Sequence, residues 1–308
     1  MDRPPAPLIL KGTLFIFVMM VLSGCSVRQT MLNAVSESIS RTGDSYATDD
    51  DLALIESASP FGLKLIEGML AETPRHEGLL LSAARGFTQY AFTFVETPAQ
   101  EMEERDVAAA LSAHQRARNL FLRAKEYGLR GLEVSFPDFR TNLARDLDRL
   151  LAKTGAKDVP LLYWTAVSWG AAISLGKERP EMLAEIPLMQ KMASRALELD
   201  ESFDFGAIHT FFITLAMSRP LPENERITEA RHHFNRAVEL SAGRQASPFI
   251  TYAESVSIPT RNRDEFREML EKGLSVDVSS APSFRLANEF FQKRARWLSS
   301  HADLFFAE

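Results

Sequence analysis

The chain holds a single cysteine, Cys25, in 308 residues, so no disulfide can close within it. No apolar run approaches the roughly 20 residues that a membrane-spanning helix needs; the most marked, GTLFIFVMMVL over 12–22, falls short. Basic residues are outnumbered, 35 against 41 acidic, and the net charge of −6 is spread without a long single-sign block. Phosphate backbones want a basic surface, so nucleic acid is excluded as a partner. Alternating β-branched runs are missing, which argues against a sheet. The catalytic signatures are missing as well. There is no G-x-S-x-G, no glycine-rich phosphate loop and no H-E-x-x-H among His76, His114, His209, His232, His233 and His301. Adjacent His232 and His233 would project about 100° apart on a helix and could not share one metal. The reading is of a non-enzyme with no cofactor and no metal.

What is present begins at the N-terminus. Asp2, Arg3 and Lys11 make a short polar start with a slight positive excess, and the run over 12–22 has the length of a secretory h-region. Leu22, Ser23, Gly24 and Cys25 follow, and LSGC resembles the lipobox of bacterial lipoproteins. The resemblance implies cleavage after residue 24 and acylation of Cys25, leaving a periplasmic body on a lipid tether. Several acyl chains hold a membrane firmly where one holds marginally. Ser26 stands where an aspartate would favour the inner membrane, so the inner leaflet of the outer membrane is the expected location. The alternative is an ordinary free or buried thiol after an uncleaved anchor. The domain reading is therefore a signal peptide over 1–24, a lipidated tether over 25–50 with a first helix over 29–40, and a helical body over 51–306.

Within the body the apolar period is that of helices. Expected helices cover 51–72, 76–95, 105–127, 137–153, 160–175, 187–199, 203–217, 224–241, 247–257, 264–275 and 283–299. Prolines 60, 74, 137, 160, 187, 220, 222, 248, 259 and 282 read as punctuation at helix starts and loops. Four segments repeat one spacing of apolar and small residues. They are Ala117, Phe121, Ala124; Met189, Ala193, Ala196; Ala230, Phe234, Ala237; and Phe266, Leu270, Gly273. This is the second-helix pattern of a tetratricopeptide repeat, in which small residues admit a neighbouring helix. The last positions of the four fall 72, 41 and 36 residues apart, compatible with a period near 34 plus loop insertions. The fold class is all-α, helix hairpins stacked into a solenoid with a concave groove or pore; an unrelated helical bundle is the alternative. The helix-pair pattern is weakest around 96–105 and 176–187.

Among candidate site residues, Trp164 and Trp169 in YWTAVSWG point to different sides of one helix. One is expected between repeats and the other at the groove or a subunit interface, with core packing as the plainer reading. His209 sits amid apolar neighbours in FGAIHTFF and needs a partner if buried. The run EMEERD at 101–106 is expected to open a helix, where carboxylates suit the dipole.

The succession VPLLYWTAVSWGAAISL, MASRALELDESFDFGAIHTFF, EARHHFNRAVELSAGRQASPFITYAES, NRDEFREMLEKGLSVD and RLANEFFQKRARWLSSHADLFF resembles the lipoproteins that accompany TRAP transporters, the T-component family, over roughly 50–306. The resemblance implies a homo-oligomeric accessory protein that associates with the periplasmic solute-binding protein of a TRAP system. It implies a groove or pore able to pass a small hydrophobic or carboxylate ligand. Trp164, Trp169 and His209, with Tyr252 and Asn288, are the matching-motif residues expected at the groove or an interface. A structural lipoprotein scaffolding outer-membrane or secretion assembly is the alternative function.

Overall fold

The computed structural model describes residues 46–306. The apolar run, Cys25 and the helix expected over 29–40 lie outside the described residues. Within them every regular element is helical and no strand occurs. In chain order the helices are α1 (Leu52–Glu72), α2 (Glu77–Ala91), α3 (Thr97–Met102), α4 (Val107–Ser135), α5 (Phe139–Leu151), α6 (Val159–Ser174), α7 (Pro180–Leu183), α8 (Ile186–Leu199), α9 (Ala207–Met217), α10 (Glu223–Leu240), α11 (Ser247–Tyr252), α12 (Arg263–Leu274), α13 (Arg285–Ser300) and α14 (Ala302–Phe306).

Short polar side chains start several of these. Asp51 accepts from the amides of Ala53 and Leu54 at 3.0 and 2.9 Å, Asp106 from Ala109 at 2.9 Å, and Asn262 from Glu265 at 3.2 Å. Each satisfies an amide that the first helical turn leaves without a carbonyl. His76 does the same with a ring nitrogen, 3.2 Å from the amide of Leu79, so its role is a cap.

Three expectations are corrected. Pro60 lies inside α1 and does not end it. The ring deprives the Glu56 carbonyl of its donor, but Glu56 is exposed, and the Ser57 and Ser59 hydroxyls bond the carbonyls of Ala53 and Ile55 one turn back. EMEERD does not open a helix as a unit: Glu101 and Met102 finish α3, and only Asp106 reaches a helix start. The expected helix over 203–217 begins at Ala207, after one 3-10 turn, because Asp204 adopts a left-handed conformation. The stretches 96–105 and 176–187 hold the short helices α3 and α7. Two π-helical turns, Phe92–Glu96 and Ala253–Ser257, extend α2 and α11.

The helices pack as neighbouring pairs, α2 with α4, α6 with α8, α9 with α10 and α11 with α12. All four repeated segments fall on the second member of a pair, and each of their spaced positions is buried. Size matters at these points. A Cβ on Gly273 would stand 2.6 Å from Ile250 of α11, so the small residue sets the distance between α11 and α12. One core runs from α2 to α9 around Phe121, Phe139 and Trp169; a second gathers Tyr252, Phe266 and Leu298 from α9 to α14. A third joins α1 to α2 through Leu63, Leu70, Leu79 and Leu80.

The chain also returns on itself. α13 packs against α1, Phe290 meets Phe92 edge-on at 5.6 Å, and Arg294 reaches Gln100 and Glu101 of α3 at 2.8 and 3.1 Å.

Candidate functional site

The loop between α8 and α9 is where aromatic rings, charge and backbone strain meet. Asp204, Phe205 and Gly206 have φ of 45°, 55° and 91° in succession. A phenylalanine in the left-handed region is an outlier, and such strain persists only where surrounding structure imposes it. Gly206 is the imposed point. A Cβ there would lie 3.1 Å from the Leu240 Cβ and 3.2 Å from the Ala237 Cα, so glycine alone lets the loop lie against α10. The strained run presents Phe205 to solvent at 44% exposure, edge-on to Phe284 at 4.8 Å.

On the other side of the loop, Phe203 packs on Tyr163 of α6 at 5.4 Å, and Tyr163 stands edge-on to Trp164 at 5.0 Å. The Arg85 guanidinium of α2 lies 5.9 Å from the Trp164 ring. Burial first, then the charge of Asp204, pushes the Tyr163 phenol far above its ordinary range, while Arg85 works in the opposite sense. This phenol stays protonated, and it donates to the Ala207 carbonyl at 3.5 Å.

Trp169 occupies the opposite side of α6, fully buried. Its indole donates to the Glu185 carboxylate at 2.5 Å, and the Lys125 ammonium stands 3.9 Å from the ring and 2.8 Å from the same carboxylate. Cation, ring and anion thus close a triangle joining α4, α6 and the residue before α8. Trp164 keeps 9% exposure.

His209, near the start of α9, is buried and has two partners. Its Nδ1 lies 2.8 Å from Nδ1 of His233 on α10, and its Nε2 lies 3.2 Å from Oε2 of Glu201. Arg236 holds Glu201 with contacts of 2.5 and 3.2 Å, and this pairing first of all draws the Glu201 pKa down to about 2.

The arrangement brings three aromatic faces and a guanidinium together beside the strained loop. Among the described residues no group of three or more His, Cys, Asp or Glu is placed to hold a metal ion, and no helix is long and apolar enough to cross a membrane.

A family model described as TRAP transporter T-component matches residues 48–306, nearly the whole described body. The chain belongs to the TRAP transporter T-component family. A protein of Treponema pallidum (strain Nichols), described as uncharacterized, is similar to it: 29% identical over 307 residues, covering 94% of this chain and 95% of its own.

In this T-component chain the five matching-motif residues do not converge. Trp164 and His209 flank the strained loop from α6 and α9, and Trp169 lies behind Trp164. Tyr252 and Asn288 belong to the C-terminal half. Tyr252 is fully buried against Phe234 at 4.9 Å, and burial, followed by the charge of Glu265, raises its pKa to about 12. Asn288 braces a turn: it accepts from the Ala246 amide and donates to the Arg244 carbonyl, both at 2.9 Å. The sequence alone marks neither Phe205 nor Arg85, and His233 enters there only as half of a histidine pair unable to share one metal. The signal available for Phe205 was the FDFG run itself, a glycine following an aromatic directly before a helix.

Proposed function

We propose that this T-component chain is a lipid-anchored periplasmic accessory protein of a TRAP-type solute uptake system. It associates with the system's solute-binding protein and passes it a small ligand with apolar or carboxylate character. The observation that carries the reading is the family match across 48–306, which places the chain with the accessory component of that transport class. The anchor is an acylated Cys25, with the body held at the inner leaflet of the outer membrane and assembled as a homo-oligomer. The helix pairs are tetratricopeptide-like hairpins stacked into a solenoid, whose repeated small residues, Ala124, Ala196, Ala237 and Gly273, set the stacking distance. Stacked hairpins of this kind present a concave face, and binding is its ordinary use. Trp164, Tyr163 and Phe203 supply the apolar part of a ligand face and Arg85 its positive charge; Trp169, His209, Tyr252 and Asn288 hold the surrounding helices in place.

The test is native copurification of the full-length protein from periplasm, with mass spectrometry of bound proteins and small molecules. Enrichment of a TRAP solute-binding protein, lost in the Trp164→Leu variant, is the expected result. Enrichment of barrel or secretion components without a solute-binding protein would favour the scaffold alternative and sink the transport reading.

A further inference from the structure

The sequence placed His209 amid apolar residues; the fold supplies a second imidazole, and the two buried rings meet through like nitrogens. With Nδ1 of His209 2.8 Å from Nδ1 of His233, one of the two must carry the hydrogen and the other must accept it. The far side of His209 decides which. Its Nε2 lies 3.2 Å from the Glu201 carboxylate, which is ionised and can only accept, so that nitrogen carries a hydrogen. In the neutral pair His209 Nδ1 is therefore bare, and His233 donates its Nδ1–H to it.

A first proton from solvent can be taken up without losing a contact. It settles on His209, whose two N–H groups then point at Glu201 and at His233. His233 moves its own hydrogen to Nε2 and accepts through Nδ1. The new charge lies beside a carboxylate. A second proton has no such place. Both Nδ1 atoms would then carry hydrogens pointed at each other across 2.8 Å, and the bond between α9 and α10 would become a repulsion.

We propose that the His209–His233 pair is a proton-counting latch between α9 and α10, closed when it holds no proton or one, and forced open by the second.

The surroundings bear on the same step. Glu201, from the loop before α9, and Arg236 and His232, from α10, are the charged and titratable groups acting on the pair; the His232 ring is 5.3 Å from His233 and 6.5 Å from His209. Phe212 covers His233 at 4.9 Å. The charged groups of α8 are engaged elsewhere, Lys191 with Asp148 and Arg195 with Glu198 and Thr154. On α11 the titratable Tyr252 acts with Glu265, and Glu254 of the adjoining π turn is bound to Arg294. Burial first, then His209 and His232, lowers the His233 pKa to about 4; burial also lowers that of His209. The sign follows. A histidine harder to protonate folded than unfolded leaves stability intact above its ordinary 6.5 and removes it as pH falls toward about 4. Because Gly206 is the cap of α9, opening the latch would release the strained loop that carries Phe205.

The test is amide hydrogen exchange on the full chain between pH 7 and about 4, after correction for intrinsic rates. In the wild type, opening of α9 and α10 should rise as pH falls from about 6.5 toward about 4, approaching ten-fold per pH unit for one proton taken up on opening, while α4 and α6 stay protected. His233→Asn, whose side-chain amide can still donate to His209 Nδ1 but cannot titrate, should flatten that slope to whatever His209 alone contributes. Equal slopes in both proteins, or no local opening in the wild type, would overturn the latch. Nitrogen-15 NMR of the wild-type imidazoles reads the same claim without a variant: the two rings should take up protons in separate steps, and a shared step near 6.5 would refute it.

Discussion

Arg294 of α13 and Glu101 of α3 stand 3.1 Å apart although 193 residues separate them. The same guanidinium, 7% exposed at its side chain, reaches Gln100 at 2.8 Å and Glu254 at 2.8 Å, so one cation ties α13 to α3 and to the π turn after α11. Burial pushes the Glu254 pKa up and Arg294 holds it back. Arg294→Ala leaves that partly buried carboxylate without its cation and should cost roughly 1 to 3 kcal/mol, less than for a fully buried pair because Glu254 keeps some access to water. The deficit should be larger at pH 7.5 than at about pH 5, because protonating Glu254 removes the uncompensated charge. Denaturant unfolding at the two pH values, with hydrogen exchange on α13, measures both effects; a deficit that did not change with pH would mean that Glu254 is not the group left stranded.

The tryptophans of α6 separate by what surrounds them. Trp169→Ala empties the space between α4 and α8 and orphans Lys125 and Glu185 from the ring, for an expected loss of about 3 to 5 kcal/mol. Trp169→Phe keeps most of the volume and should cost about 1 kcal/mol for the lost indole hydrogen bond. Trp164→Leu retains apolar bulk at a position that keeps some exposure. It should lower the melting temperature by less than Trp169→Ala while reducing recovery of the solute-binding protein. Thermal melting with the copurification yield tests the pair.

Glycines 206 and 68 should respond in opposite directions. At Gly206 a methyl meets α10 backbone and side-chain atoms on a chain with φ of 91°, so Gly206→Ala should destabilise by about 1 to 3 kcal/mol. At Gly68, inside α1, a Cβ meets nothing within 4 Å, and Gly68→Ala should stabilise by about 0.4 to 1 kcal/mol through the unfolded chain. Midpoints of urea unfolding check the two signs.

What could be read from residues alone follows from the range of the forces involved. The 3.6-residue period marked helix after helix, since each buries one stripe, and the spaced small residues Ala124, Ala196, Ala237 and Gly273 marked the close approaches. Pro60 misled because the Glu56 carbonyl it leaves without a donor is exposed to water, so α1 runs through it. The π turns at 92–96 and 253–257 each insert one residue into a helical ladder without changing its composition. The site was less legible. His209 announced its need for a partner, but His233 becomes that partner only when α9 and α10 fold together across 24 residues. The strain at Phe205 comes from Leu240 and Ala237 pressing on Gly206, and Arg294 with Glu101 is legible in no local window.

The proposed lipid anchor makes the remaining prediction, and it concerns a residue outside the described ones. Acylation requires a thiol, so Cys25→Ser should block both modification and cleavage after residue 24. Metabolic labelling with palmitate should tag the wild type and leave the variant dark. The unprocessed variant keeps 24 additional residues, so its mass separates failed processing from failed expression. Cys25→Ser would keep its uncleaved apolar run and remain on the inner membrane, whereas the wild type should fractionate with the outer membrane. The folded body should be unaffected, because α1 begins at Leu52 and is capped by Asp51. Equal palmitate labelling of the two proteins, or a wild-type mass that still includes residues 1–24, would show that LSGC is not a lipobox here.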